Sequence, residues 1–166
     1  FSVGAGYYYM ANKDAMKNYA NGYGPTGNTG VDQYGAESAK IWNLGMTYNF
    51  NDTLRLDAAY AKNTEGNADG KFKKAYNIEL AYKTAVPENK GSFGLYAAYR
   101  YLGQYGTIAP TYDGAMYGTK GWEIGTQYTF AKNIMGSLRY FDGKTIAGDD
   151  NQQKVSRLFG RVEFFF

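Results

Sequence analysis

The sequence predicts an all-β protein: an antiparallel, up-and-down transmembrane β-barrel, with eight strands falling within its 166 residues. Three observations predict this class. Eight stretches alternate apolar and polar residues with period two. The stretches between them alternate long and short. Large aromatic residues on the apolar side gather at the ends of the stretches, which is how a lipid-facing strand sorts its side chains by depth.

The segments run over about 1–12, 39–50, 53–63, 74–85, 92–104, 120–130, 134–143 and 154–166. The first puts Val3, Ala5, Tyr7 and Tyr9 on one side. The second puts Trp42, Leu44, Met46, Tyr48 and Phe50 there, and the third Leu54, Leu56, Ala58 and Tyr60. In the fourth and fifth the set is Tyr76, Ile78, Leu80 and Tyr82, then Phe93, Leu95, Ala97, Tyr99 and Tyr101. The sixth gives Trp122, Ile124, Thr126, Tyr128 and Phe130, and the seventh Ile134, Gly136, Leu138 and Tyr140. The last gives Leu158, Gly160, Val162, Phe164 and Phe166. No charged residue enters these sets. An arginine or lysine on a lipid face near the bilayer midplane costs roughly 2–4 kcal/mol. A soluble sandwich also alternates, but it has no reason to sort aromatics by height.

The connections supply the second signal. A polar stretch over 13–38 is followed by the tight Asn51-Asp52 turn. Then come a longer link with Gly66, Asn67 and Gly70, a short one through Pro87 and Glu88, a long one over 105–119, the three residues Ala131-Lys132-Asn133, and finally 144–153. Long external loops and tight internal turns have this rhythm. Trp42-Asn-Leu-Gly-Met-Thr-Tyr-Asn-Phe50 also recurs, 80 residues later, as Trp122-Glu-Ile-Gly-Thr-Gln-Tyr-Thr-Phe130. Leu54 and Tyr60 correspond to Ile134 and Tyr140 at the same offset.

Composition agrees and excludes other classes. There are 18 Tyr, 10 Phe and 22 Gly but only 3 Pro, a balance suited to strands and turns. Cysteine and histidine are absent, so thiolate and imidazole chemistry are excluded. The 18 basic and 15 acidic residues intermingle without a basic stripe, which argues against nucleic acid as a partner. No apolar run reaches the length of a membrane helix. The mean hydropathy of −0.54 is compatible with a barrel, since only alternate residues face lipid. The whole chain, 1–166, reads as one barrel domain or barrel segment.

The terminal stretch RLFGRVEFFF, 157–166, resembles the C-terminal signal of bacterial outer-membrane proteins, through Leu158, Val162, Phe164 and Phe166; Gly160 matches less well. With its Tyr/Gly-rich strands and its RVEFFF ending, the chain is similar to the C-terminal barrel part of porins from diderm Firmicutes, in which an S-layer-homology module tethers membrane to peptidoglycan. These residues hold no such module, so tethering is not carried over. The resemblance implies an integral protein of the bacterial outer membrane. Its implied partners are membrane lipid, lipopolysaccharide and the barrel assembly machinery, and it admits a homotrimer.

The opposite side of the segments carries the candidate site. Arg55, Lys83, Arg100, Arg139, Arg157 and Arg161 stand against Asp57, Glu79, Glu123 and Glu163. In a closed eight-stranded barrel these charges pair and fill the interior. In a larger barrel they line a water-filled, mildly anion-favouring channel. An even strand number suits closure, whereas the start within a strand at Phe1-Ser2-Val3 suits a piece of a larger barrel; both readings stay open. The functional expectation is passive diffusion of ions and small hydrophilic solutes. The alternative is a plugged barrel acting as an anchor or adhesin through loops 13–38 and 105–119. A soluble β-sandwich is the remaining, disfavoured reading.

No catalytic residue is expected. Outer-membrane phospholipases, acyltransferases and proteases depend on histidine, and lone carboxylates such as Asp57, Glu79 or Glu123 are better read as ion pairs. No cofactor or metal is expected either; Asp149-Asp150-Asn151 is a short acidic cluster, read as a solvated loop rather than a Ca²⁺ site.

Overall fold

The computed structural model describes residues 1–11, 38–66, 68–107, 112–146 and 152–166. None of these residues is helical. The strands are β1 (Ser2–Ala11), β2 (Ser38–Asn49), β3 (Leu54–Asn63), β4 (Lys74–Tyr82), β5 (Phe93–Leu102), β6 (Thr119–Ala131), β7 (Ile134–Thr145) and β8 (Lys154–Phe164). They form a single antiparallel sheet in sequence order, β1 through β8. The fold is therefore all-β and up-and-down. Strands β1 and β8 lie at the two ends of the order and are not hydrogen-bonded to each other, so the sheet is not closed by hydrogen bonds. That arrangement is compatible with a barrel.

The turns follow from local chemistry. Between β2 and β3, the Asn51 Oδ1 accepts hydrogen bonds from the amides of Thr53 (2.8 Å) and Leu54 (2.9 Å), the local bonding that makes asparagine a turn residue. Between β6 and β7, Asn133 takes a left-handed conformation with φ 64°, which asparagine tolerates better than most residues. One boundary differs from the sequence expectation. β4 stops at Tyr82 rather than 85, because Lys83 turns left-handed at φ 57°. The β4–β5 connection thus spans 83–92 and is as long as that over 64–73, so the long–short rhythm weakens there.

Alternation splits the sheet into two faces. The apolar face is widely exposed: Leu44 54%, Ile78 51%, Ile124 56% and Trp122 63%. Its aromatics form two separate sets. At one end Tyr7 meets Trp42 at 4.6 Å, Tyr76 stacks with Tyr101 at 4.9 Å, and Tyr99 meets Trp122 at 5.3 Å. At the other, Tyr48 meets Phe50 at 4.9 Å and Tyr128 meets Phe130 at 5.2 Å. Leu44, Ile78, Leu80, Leu95, Ile124 and Leu138 lie between the two sets along their strands.

The polar face holds the interior. Its buried apolar residues make two clusters near the long-loop end: Ala39 with Ile41, and Ala75, Leu102, Ala115 and Phe141. The sequence repeat is a structural one. Leu44 opposes Tyr60 as Ile124 opposes Tyr140, and Trp42 opposes Lys62 as Trp122 opposes Asp142. The β2–β3 and β6–β7 hairpins therefore share one register until a shift between Thr129 and Ala131.

Candidate functional site

The site is built on the polar face from β4, β5, β6 and β7, with residues 112–115 lying against it. Arg100 on β5 is its centre and is 2% exposed. Its Nη1 donates to Asn77 Oδ1 at 2.6 Å and its Nη2 to Glu79 Oε2 at 2.9 Å, both acceptors on β4. Toward β6, Nε and Nη2 donate to Glu123 Oε1 at 3.1 and 2.9 Å. Tyr96 donates its hydroxyl to the same oxygen at 2.9 Å. Five strand side chains thus converge because each faces the same side and lies in or next to register: Asn77 opposes Arg100, Ala98 opposes both Glu79 and Glu123, and Tyr96 opposes Gly125. Gly125 is needed there; a Cβ would run into the Tyr96 ring.

Glu123, 1% exposed, spends its second oxygen on the loop: the Ala115 amide donates to Oε2 at 2.9 Å. The preceding residue, Gly114, packs so closely on that carboxylate that a Cβ would collide with it. Tyr112 lays its ring 3.8 Å from the Arg100 guanidinium carbon, a contact strengthened by desolvation. Burial pushes the Tyr112 phenol above the ordinary tyrosine value, against the opposing pull of Arg100. Asp113 reaches the other way. Its Oδ2 accepts from Arg139 Nη1 at 2.6 Å and lies 3.7 Å from Arg161 Nη1. The segment 112–115 is thus fixed to the sheet by charge on both sides. Burying these charges costs solvation free energy, which mutual pairing offsets.

The charges expected on this face are distributed unevenly. Arg100, Glu79 and Glu123 come together, and Arg139 and Arg161 meet through Asp113. Glu163 pairs with Arg161 at 3.3 Å. Arg55 and Asp57 form a separate pair at 2.6 Å on β3, with Thr47 donating to Asp57 at 2.6 Å. Arg157 is exposed on β8. Lys83 stands apart: its ammonium lies 4.8 Å from the Phe93 ring centroid and 5.4 Å from that of Tyr82, beside residues of the apolar face. Leu158, Val162 and Phe164 share the apolar face of β8 and are exposed, and Phe166 follows the strand. Loop 13–38, except Ser38, and Asp149-Asp150-Asn151 fall outside the described residues.

Sequence reasoning did not find Tyr112, Asp113, Gly114 and Ala115, nor the inward apolar residues Ile41, Leu102 and Phe141. The available signal was an Asp-Gly pair followed by alanine in a long loop, together with apolar residues at the polar parity near one strand end. No group of three or more acidic residues among the described ones is arranged to hold a metal ion.

The chain matches no protein-family model and no curated protein. Chemically, the arrangement on the polar face offers paired positive and negative groups, buried at Arg100 and Glu123, with residues 112–115 held against them.

Proposed function

We propose that the chain forms a porin-type β-barrel, or part of one, in a bacterial outer membrane, and that it passes ions and small hydrophilic solutes by passive diffusion. One observation carries this reading: the two faces of the sheet have opposite chemistry. Large apolar side chains, with aromatics at two heights, are exposed on one face, while the buried ion pairs lie on the other. In water, an exposed apolar surface of that extent is unfavourable. In a bilayer it is the expected exterior, with the charges lining the lumen. Membrane lipid and lipopolysaccharide then surround the barrel, and the assembly machinery recognises the β8 end.

Planar-bilayer recording of the native protein tests the reading. Discrete open-channel steps are expected, and R139E/R161E should move the reversal potential toward cation preference. An unchanged reversal potential would show that these arginines do not line the pore.

The second reading is an eight-stranded, plugged barrel serving as an anchor or surface-binding protein. Segment 112–115 favours it, because that segment covers Arg100 and Glu123 from the polar side. Correctly folded protein without open-channel steps would select this reading. Deletion within 105–119 should then abolish surface binding while heat-modifiable folding persists.

A further inference from the structure

The apolar face is not free of charge at its ends. Lys120, Lys144 and Lys154 occupy directly opposed positions on β6, β7 and β8. Each sits at the apolar parity of its strand, beyond the aromatic set that contains Trp122 and Tyr99. Like charges directly opposite one another on one face destabilise a sheet. Among the described residues, the acid beside them is Asp142, 3.9 Å from Lys154, with side chains 48% and 82% exposed. Such a pair contributes little. Among the described residues, three ammonium groups face one carboxylate, an excess of two positive charges. Elsewhere at this end Lys40 meets Glu65 at 2.6 Å, while Lys62 and Lys74 also stand directly opposed.

The same three lysines line a concavity of about 530 Å³, together with Trp122, Tyr99 and Gln152. Trp122 is 63% exposed, and its ring meets that of Tyr99 at 5.3 Å. The concavity therefore has a cationic side toward the loops and an aromatic side toward the middle of the strands. A phosphomonoester carries about −1.5 to −2 charges at neutral pH, which matches the excess. Lysine binds phosphate as a flexible point charge. A free phosphate ion has no use for an exposed Trp and Tyr, whereas a lipid carrying that phosphate does, since such rings favour the headgroup level.

We propose that Lys120, Lys144 and Lys154 bind the phosphomonoester headgroup of a lipid in the surrounding leaflet, with Trp122 and Tyr99 lying along the adjoining part of that lipid. This site rests on the membrane reading given above and gives it a specific lipid contact.

The test uses the full chain, first incorporated into phosphatidylcholine vesicles and then into phosphatidylcholine vesicles doped with phosphatidic acid. After mild detergent extraction, bound phosphatidic acid is measured by native mass spectrometry. The wild type should retain phosphatidic acid over phosphatidylcholine. K120Q/K144Q/K154Q should lower its affinity roughly a hundredfold, and K144Q alone roughly fivefold. K90Q/K132Q, in turns at the opposite end, should behave as wild type. The single variant decides the matter if the triple one does not fold. Incorporation with equal retention by wild type and K144Q overturns the lipid site and leaves the membrane reading standing. Displacement of the lipid by equimolar inorganic phosphate overturns the lipid as occupant. Failure to enter phosphatidylcholine vesicles overturns both.

Discussion

Glu123 is the residue on which the polar face depends most. It accepts from Arg100, Tyr96 and the Ala115 amide while almost wholly buried. Removing it leaves Arg100 without one of its two carboxylates and the Ala115 amide without its acceptor. E123L should therefore destabilise the protein by roughly 3 kcal/mol, read from urea unfolding in detergent. R100L/E123L should cost less than the two single changes summed, because the double change leaves no unpaired charge between them. An additive result would show that the pair is not coupled. Tyr112 gives a pH signature. Its phenol ionises later in the folded state than in the unfolded one. Its contribution is thus complete below the unfolded value of about 10 and is lost as pH rises through the higher folded value. The stability of wild type relative to Y112F should be constant below that pH and fall above it. A constant difference throughout would mean that the phenol is not buried. Neither residue's role was equally visible beforehand. Glu123 was marked by its position at the polar parity of an alternating stretch, whereas Tyr112 sits in a loop, where no periodicity says which side chains turn inward.

At the scale of elements, the strands were the most legible part of the molecule. Period-two alternation depends only on neighbours in sequence, so Trp42 to Phe50 and Trp122 to Phe130 declared both strand and face. The shared register of their hairpins follows from matched side chains and short turns. Lys83 shows the limit of that logic. Alternation carries it to the polar face, but a left-handed backbone and two aromatic rings hold it beside the apolar one. The inner loop was not legible, because Gly114 is required by close contact with the Glu123 carboxylate, which no periodicity within the loop marks. The difference between faces yields a direct comparison. Leu80 is exposed on the apolar face of β4, while a Cβ at Gly4, on the polar face of β1, would meet nothing within 4 Å. L80R should cost roughly 2–4 kcal/mol of folding free energy in lipid, and G4R should cost far less, both read from urea titration in vesicles. Equal costs would remove the distinction between the faces.

For the whole molecule, the decisive property is the environment of each face. The sheet has two hydrogen-bonding edges, on β1 and β8. Unpaired backbone groups in hydrocarbon cost several kcal/mol each, so in a membrane those edges must pair with each other or with further strands. Under the proposed pore function, the pairing of Asp113 with Arg139 and Arg161 would set how much positive charge the polar face presents to a solute. These consequences all presuppose that the apolar face meets hydrocarbon. The most direct measurement is nitroxide labelling, one site at a time, at Leu44, Leu80 and Leu138 in the bilayer-reconstituted protein, with relaxation by oxygen compared with relaxation by a water-soluble nickel complex. Oxygen should dominate at all three positions and the nickel complex at a label on Arg157 of the polar face. Dominance of the nickel complex at Leu44, Leu80 and Leu138 would contradict the account.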